Sequence, residues 1–198
     1  MREQGDTTEK VIKCLCDSVR EVLKITTASQ IEISPMLQRI STVSLRPDIG
    51  CFVQFGGDFS GLVVMNFSGA AGLEIYQRYM KNMGMPEEEL AVQYTADAVA
   101  DSLGELINQI IGRFRVLMEK HYRVGVQHNQ PKAVTISDRI VISIAAAIFQ
   151  PQNLRVSCRT QDQNRFNMEI SMEKIEFYPM DEFEANHSQD TEKLLSGL

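Results

Sequence analysis

Thirteen residues, Asp101 to Arg113, read DSLGELINQIIGR and narrow the choice of folds more than any other segment. Wound at about 100° per residue, they put Leu103, Leu106, Ile107, Ile110 and Ile111 on one side, continued by Phe114 and Leu117. A face that wide must be buried, so the segment is a packed helix of a globular domain. On the opposite side Asp101, Glu105, Asn108 and Gly112 share a stripe about 60° wide. A helix that needed only solubility would carry Lys and Glu there. This one sets a carboxylate and a carboxamide one turn apart. It also keeps a mid-helix Gly, at a cost of about 1 kcal/mol against Ala. Two readings stand: a solvated face, or a surface that something approaches closely.

The flanking segments say what the helix packs on. Residues 7–25 form a second amphipathic helix, with Val11, Ile12, Leu15, Val19, Val22 and Leu23 at helical spacing. From Gln30 the pattern becomes strand-like: QIEISPML, broken by Pro35, then RISTVSL, CFVQF and GLVVMNFS, the last two joined by a Gly-rich hairpin. Ala70 to Met83 is helical and is ended by Gly84 and Pro86. The long helix runs from Thr95 to about Lys120. After it come YRVGVQH, AVTIS, RIVISIAAAIF, LRVSCRT and NRFNMEISM, all strands, with Gln161 to Asn164 a turn. The expectation is one α+β domain over residues 1–180, helices packed on a mainly antiparallel sheet, with a mobile acidic tail at 181–198.

Composition removes several function classes. A chain of 198 residues with net charge −6 is long enough for one well-buried domain and ill suited to nucleic acid or an anionic membrane. No apolar run reaches the ~18–20 residues that span a bilayer, and MREQGDTTEK lacks a signal-peptide core, so a cytoplasmic protein is expected. Cys14, Cys16, Cys51 and Cys158 show no CxxC or zinc spacing and read as reduced thiols. His121 and His128 are read as belonging to or flanking a strand, and His187 lies in the tail. None sits in a triad-like context, and no metal site is expected.

The first helix carries an echo of the long one. DSVREVLK from Asp17 matches DSLGELIN from Asp101, 84 residues on. The echo suggests an internally duplicated fold in which the second copy ends on Asn108 and the first on Lys24. Chance likeness between two amphipathic helices is the competing explanation.

Taken together, these residues resemble the CheC/CheX family of bacterial chemotaxis phosphatases. That family's signature is Asp or Ser, three residues, Glu, two residues, Asn, and a Pro some twenty residues later. Asp101, Glu105, Asn108 and Pro131 fit it, Pro131 standing 23 positions after Asn108. GELINQIIGR and GGDFSGLVVMNFS are also typical, and the likeness covers roughly residues 8–178 and is nearest to the CheX branch. It implies a CheC/CheX-like α+β fold with internal pseudo-duplication. The implied activity is hydrolysis of the aspartyl phosphate on a CheY-like receiver domain, in chemotaxis or related two-component signalling.

In that reading Asn108 positions the attacking water and Glu105 pairs with a Lys of the receiver. Asp101, Gly104, Gly112 and Pro131 shape docking. The resemblance implies no cofactor of the chain's own, since Mg²⁺ sits on the partner, and a homodimer. Lys24 in place of Asn makes the first copy inert, and the acidic tail is extra to the family pattern. The alternatives are a non-catalytic adaptor that binds a receiver or a flagellar-switch protein, and a domain whose polar stripe is mere surface.

Overall fold

The computed structural model describes residues 7–136, 139–145 and 147–177. The expected tail at 181–198 lies outside them. Three helices, α1 (Thr7–Thr27), α2 (Gly69–Asn82) and α3 (Asp97–Tyr122), lie against an antiparallel sheet. Its strands are β1 (Glu32–Arg39), β3 (Ile49–Gly57), β4 (Gly61–Phe67), β5 (Val126–His128), β6 (Lys132–Thr135), β8 (Gln152–Arg159) and β9 (Arg165–Met172). Two short strands, β2 (Ser44–Leu45) and β7 (Ile142–Ser143), pair with each other outside it.

The order across the sheet is β1-β8-β9-β4-β3-β5, with β6 also on β3, and this order is palindromic. Each half runs helix, edge strand, short strand, hairpin: α1-β1-β2-β3-β4, then α3-β5/β6-β7-β8-β9. The halves join at the centre, where β4 pairs β9 in unbroken register from Gly61↔Met172 to Phe67↔Phe166. The duplication is therefore real, but its register is not the one the sequence echo suggested. Aligned at their C-terminal ends, Thr27 and Tyr122, the two helices are offset by 95 residues rather than 84. Lys10 and Lys13 then stand opposite Glu105 and Asn108. α1 holds no Asn in any register.

Alternation along the strands divides the core in two. Val63, Met65 and Phe67 face the helices in the main core, while Leu62 and Val64 join Val43, Leu45 and Ile136 in a smaller cluster on the outer face. β2 and β7 roof this second cluster. It also buries Glu169, whose carboxylate accepts from both Arg155 Nη2 at 2.7 Å and the Ser44 amide at 3.0 Å. A buried carboxylate is tolerable only with partners of this kind.

Three expectations need correcting. β1 does not stop at Pro35 but absorbs it in a bulge between Ile33 and Leu37, which an edge strand permits. Among the described residues RISTVSL contributes only the two residues of β2 beyond Arg39, which ends β1, and RIVISIAAAIF only the two of β7. Their β-branched residues suit a strand, but the sheet edge beside β3 is already taken by β5 and β6, so neither run has a long partner. His121 and Tyr122 belong to the last turn of α3, whose C-cap Arg123 is left-handed and returns its amide to Glu119.

α2 is fixed independently. Ser68 caps it by accepting from the Ala71 amide at 3.2 Å. Near its middle, buried Glu74 accepts from Thr160 Oγ1, from Asn164 Nδ2 at 2.9 Å and from Arg78 Nε at 3.2 Å. The helix is thereby stapled to the β8–β9 turn, where sequence periodicity carries no signal.

Candidate functional site

α3 is anchored by its apolar face. Leu103, Leu106, Ile107, Ile110, Ile111 and Phe114 are at most 1% exposed, and Phe114 meets Phe55 of β3 edge-on at 5.8 Å. Burying that face leaves the outer stripe no freedom of rotation. Asp101 and Glu105 are exposed, Asn108 is half-buried, and all three look across at the segment that joins β5 to β6.

That segment supplies the second wall of an open groove of about 310 Å³. Ala100, Asp101, Gly104, Glu105 and Asn108 line it from the helix, and Gln130, Pro131, Lys132 and Ala133 from the strand side. Pro131 is buried and immediately precedes β6. The Asn129 amide donates to Gln54 O at 3.0 Å, which holds the loop against β3. The helix passes close to β6 here: a Cβ on Gly104 would lie 3.8 Å from that of Ala133, an ordinary contact.

Five of the six residues singled out from the sequence therefore converge. The sixth, Gly112, lies one turn along the same stripe and lines a separate groove of about 770 Å³. A Cβ at Gly112 would meet nothing within 4 Å. Neither glycine is needed for packing within the chain, so the helix-propensity cost stays uncompensated there. Sequence reasoning missed Gln130, Lys132 and Ala133, which reach the groove only because the sheet edge carries them past α3. Pro131 was the one pointer to that wall.

The electrostatics are simple. Among the described residues neither Asp101 nor Glu105 enters an ion pair; Glu105 accepts only from Gln109 Nε2, at 3.3 Å. Arg113, one turn beyond Gln109, is drawn away to Glu21 of α1 at 2.8 Å. The groove thus offers an uncommitted carboxylate and a carboxamide to a visitor.

Other chemistry has less to work with. Burial raises Cys51 and Cys158 to about 12 and Cys16 to about 11, so these thiols are poor nucleophiles. Among the described residues no three His, Cys, Asp or Glu side chains are grouped to hold a metal, and no helix is long and apolar enough to cross a membrane.

Solved structures with this architecture include chemotaxis proteins. The chemotaxis protein CheX from Desulfovibrio desulfuricans superposes with a TM-score of 0.67 at 15% identity, covering 83% of this chain and 99% of that one. A CheC-like superfamily protein from a Shewanella species gives 0.66 at 18% identity over 82% and 97%. CheX from Borrelia burgdorferi, solved in a complex with CheY, BeF3 and Mg²⁺, gives 0.61 at 16% identity over 82% and 97%. The fold is that of CheC/CheX-like proteins. No curated protein matches the sequence. A family model described as "Protein of unknown function (DUF3334)" matches residues 2–197.

Proposed function

This chain belongs to the DUF3334 family, and from that premise and its fold we propose that it is a CheX-like phosphatase acting on the aspartyl phosphate of a CheY-like receiver domain. The observation that carries the reading is the convergence of Glu105, Asn108 and Pro131 on one open groove at solvent level, where a rigid helix face can be pressed into a partner's site.

In the proposed reaction water attacks phosphorus, the bond to the aspartyl oxygen breaks, and the carboxylate leaves with inorganic phosphate as the other product. Acyl phosphates are reactive, so the chief need is a water held in line with the leaving oxygen. The Asn108 carboxamide oxygen accepts one hydrogen of that water and turns a lone pair toward phosphorus. A carboxylate there would be repelled by the phosphoryl oxygens; the amide is not. Such positioning supplies much of a rate gain without a strong base.

Glu105, one turn earlier and free of cationic partners among the described residues, pairs with a Lys of the receiver and sets the depth of insertion. Asp101 borders the same groove and contributes to docking. The Mg²⁺ of the reaction belongs to the receiver. The reading carries with it a cytoplasmic homodimer working in chemotaxis or a related two-component circuit.

The test is the decay of purified, phosphorylated receiver domains from the same genome with and without the protein. Acceleration of at least one is expected. A receiver that binds without faster decay would replace the enzyme with an adaptor on a phosphatase fold.

A further inference from the structure

The outer stripe of α3 does not end at Asn108. Gly112, Arg115 and Glu119 continue it at offsets of four, seven and eleven, so that from Asp101 it runs about 27 Å along the helix. The second groove lies on this continuation, bounded by Gly112, Arg115, Val116 and Glu119 on α3 and by Asp58 and Gly125 opposite. The two grooves share the helix face on one side and, on the other, the chain between Gly125 and Ala133.

The far wall of the second groove is preformed. The β3–β4 hairpin is pressed onto the α3–β5 loop through reciprocal bonds: Asp58 N donates to Gly125 O at 3.0 Å, and Gly125 N to Asp58 Oδ2 at 2.7 Å. Gly57 is required there, since at φ +130 any Cβ would lie 2.3 Å from Gly125 O. In the groove, Val116 is 51% exposed beside Arg115 and Lys120. Among the described residues neither cation enters an ion pair. The groove therefore offers a partner an arginine, the residue type enriched at protein recognition sites, on a rigid frame beside an apolar residue that docking would cover.

We propose that the receiver domain whose phosphoryl group enters the Glu105–Asn108 groove also docks in this second groove, and that Arg115, Val116 and Gly112 select the partner. The inference rests on the receiver-phosphatase reading and deepens it. Three observations favour this occupant. The nine residues that line the first groove are too few to hold a protein by themselves, since a specific interface takes about 20–30 residues a side, so the partner must spread beyond it. The spread along a rigid helix leads into the adjoining groove, at the one turn where a mid-helix glycine leaves the surface bare. A receiver that holds Mg²⁺ through carboxylates is acidic around its phosphorylation site, and of the charged residues lining this groove Arg115 and Lys120 outnumber Glu119, the Asp58 carboxylate being taken by the Gly125 amide.

The test measures receiver dephosphorylation against receiver concentration for the full chain, alongside direct binding of the same receiver. The variants are Arg115→Glu, Gly112→Tyr and, as a control on α1, Lys13→Glu. KM is expected to rise about tenfold in Arg115→Glu and Gly112→Tyr with kcat unchanged, and to stay put in the control. An active wild type whose KM and affinity move in neither variant overturns the docking surface and leaves the phosphatase reading standing. A wild type that binds without hydrolysis, and binds worse in both variants, overturns the phosphatase and supports the surface. A wild type that binds no receiver overturns both.

Discussion

α1 and α3 occupy equivalent places in the two halves of the sheet, yet only their buried sides are alike. Both press a continuous apolar face into the main core, with Leu15 and Phe114 fully buried. Outside, α1 pairs both of the carboxylates in its second half, Asp17 with Arg20 at 2.8 Å and Glu21 with Arg113 of α3, and leaves only Glu9 and lysines outside any ion pair among the described residues. It contains no Gly and no Asn. α3 carries Gly104, Gly112 and Asn108, all unfavourable in a helix interior, and leaves Asp101 and Glu105 outside any ion pair among the described residues. A duplicated scaffold needs the first arrangement twice. The second is extra cost on one copy, and in the proposed reading it is offset where Gly104 and Asn108 line the groove against β6 and Gly112 the groove beside it.

The comparison is open to attack at several points. On the buried faces the helices should behave alike: Leu15→Ala and Phe114→Ala are both expected to destabilise by about 2–5 kcal/mol in chemical denaturation. A large disparity would mean the halves do not share one core. Next in size, Glu105→Ala should raise KM for a receiver about tenfold, whereas Lys10→Ala, its counterpart on α1, should not change it.

Smaller still, Gly112→Ala is expected to stabilise the fold by about 1 kcal/mol, because the new methyl meets nothing. Gly104→Ala should gain less, since its methyl contacts Ala133. Thermal melts would read both, and a loss of stability at Gly112 would show that the residue is structural. Least of all, Arg113→Ala and Glu21→Ala should cost the same few tenths of a kcal/mol, as befits a half-exposed pair, with no further loss in the double variant.

What could be read in the sequence follows the range of the physics involved. α3 and its outer stripe were legible because helical periodicity is local and repeats over many residues. The β3–β4 hairpin was legible from its glycines. RIVISIAAAIF was not, because strand propensity is fulfilled only where a partner edge is free, and that depends on residues far away. The echo between Asp17 and Asp101 pointed to a true duplication in another register than the one in which the two helices end together: amphipathic helices look alike at several offsets, and periodicity does not show where each one stops. Glu74 with Thr160 and Asn164, and Glu169 with Arg155, are pairings of single residues across long separations, which leave no pattern to find. At the site the helix side was visible throughout, while of the strand wall only Pro131 was.

The most direct test follows the decay of a phosphorylated, Mg²⁺-bound receiver with the wild-type protein and with Asn108→Ala at matched concentrations. The proposed role of Asn108 predicts accelerated decay with the wild type and a loss of about 100-fold or more in that acceleration with the variant, binding being retained. Equal acceleration by both proteins would contradict it, because the carboxamide on α3 would then have no part in the chemistry.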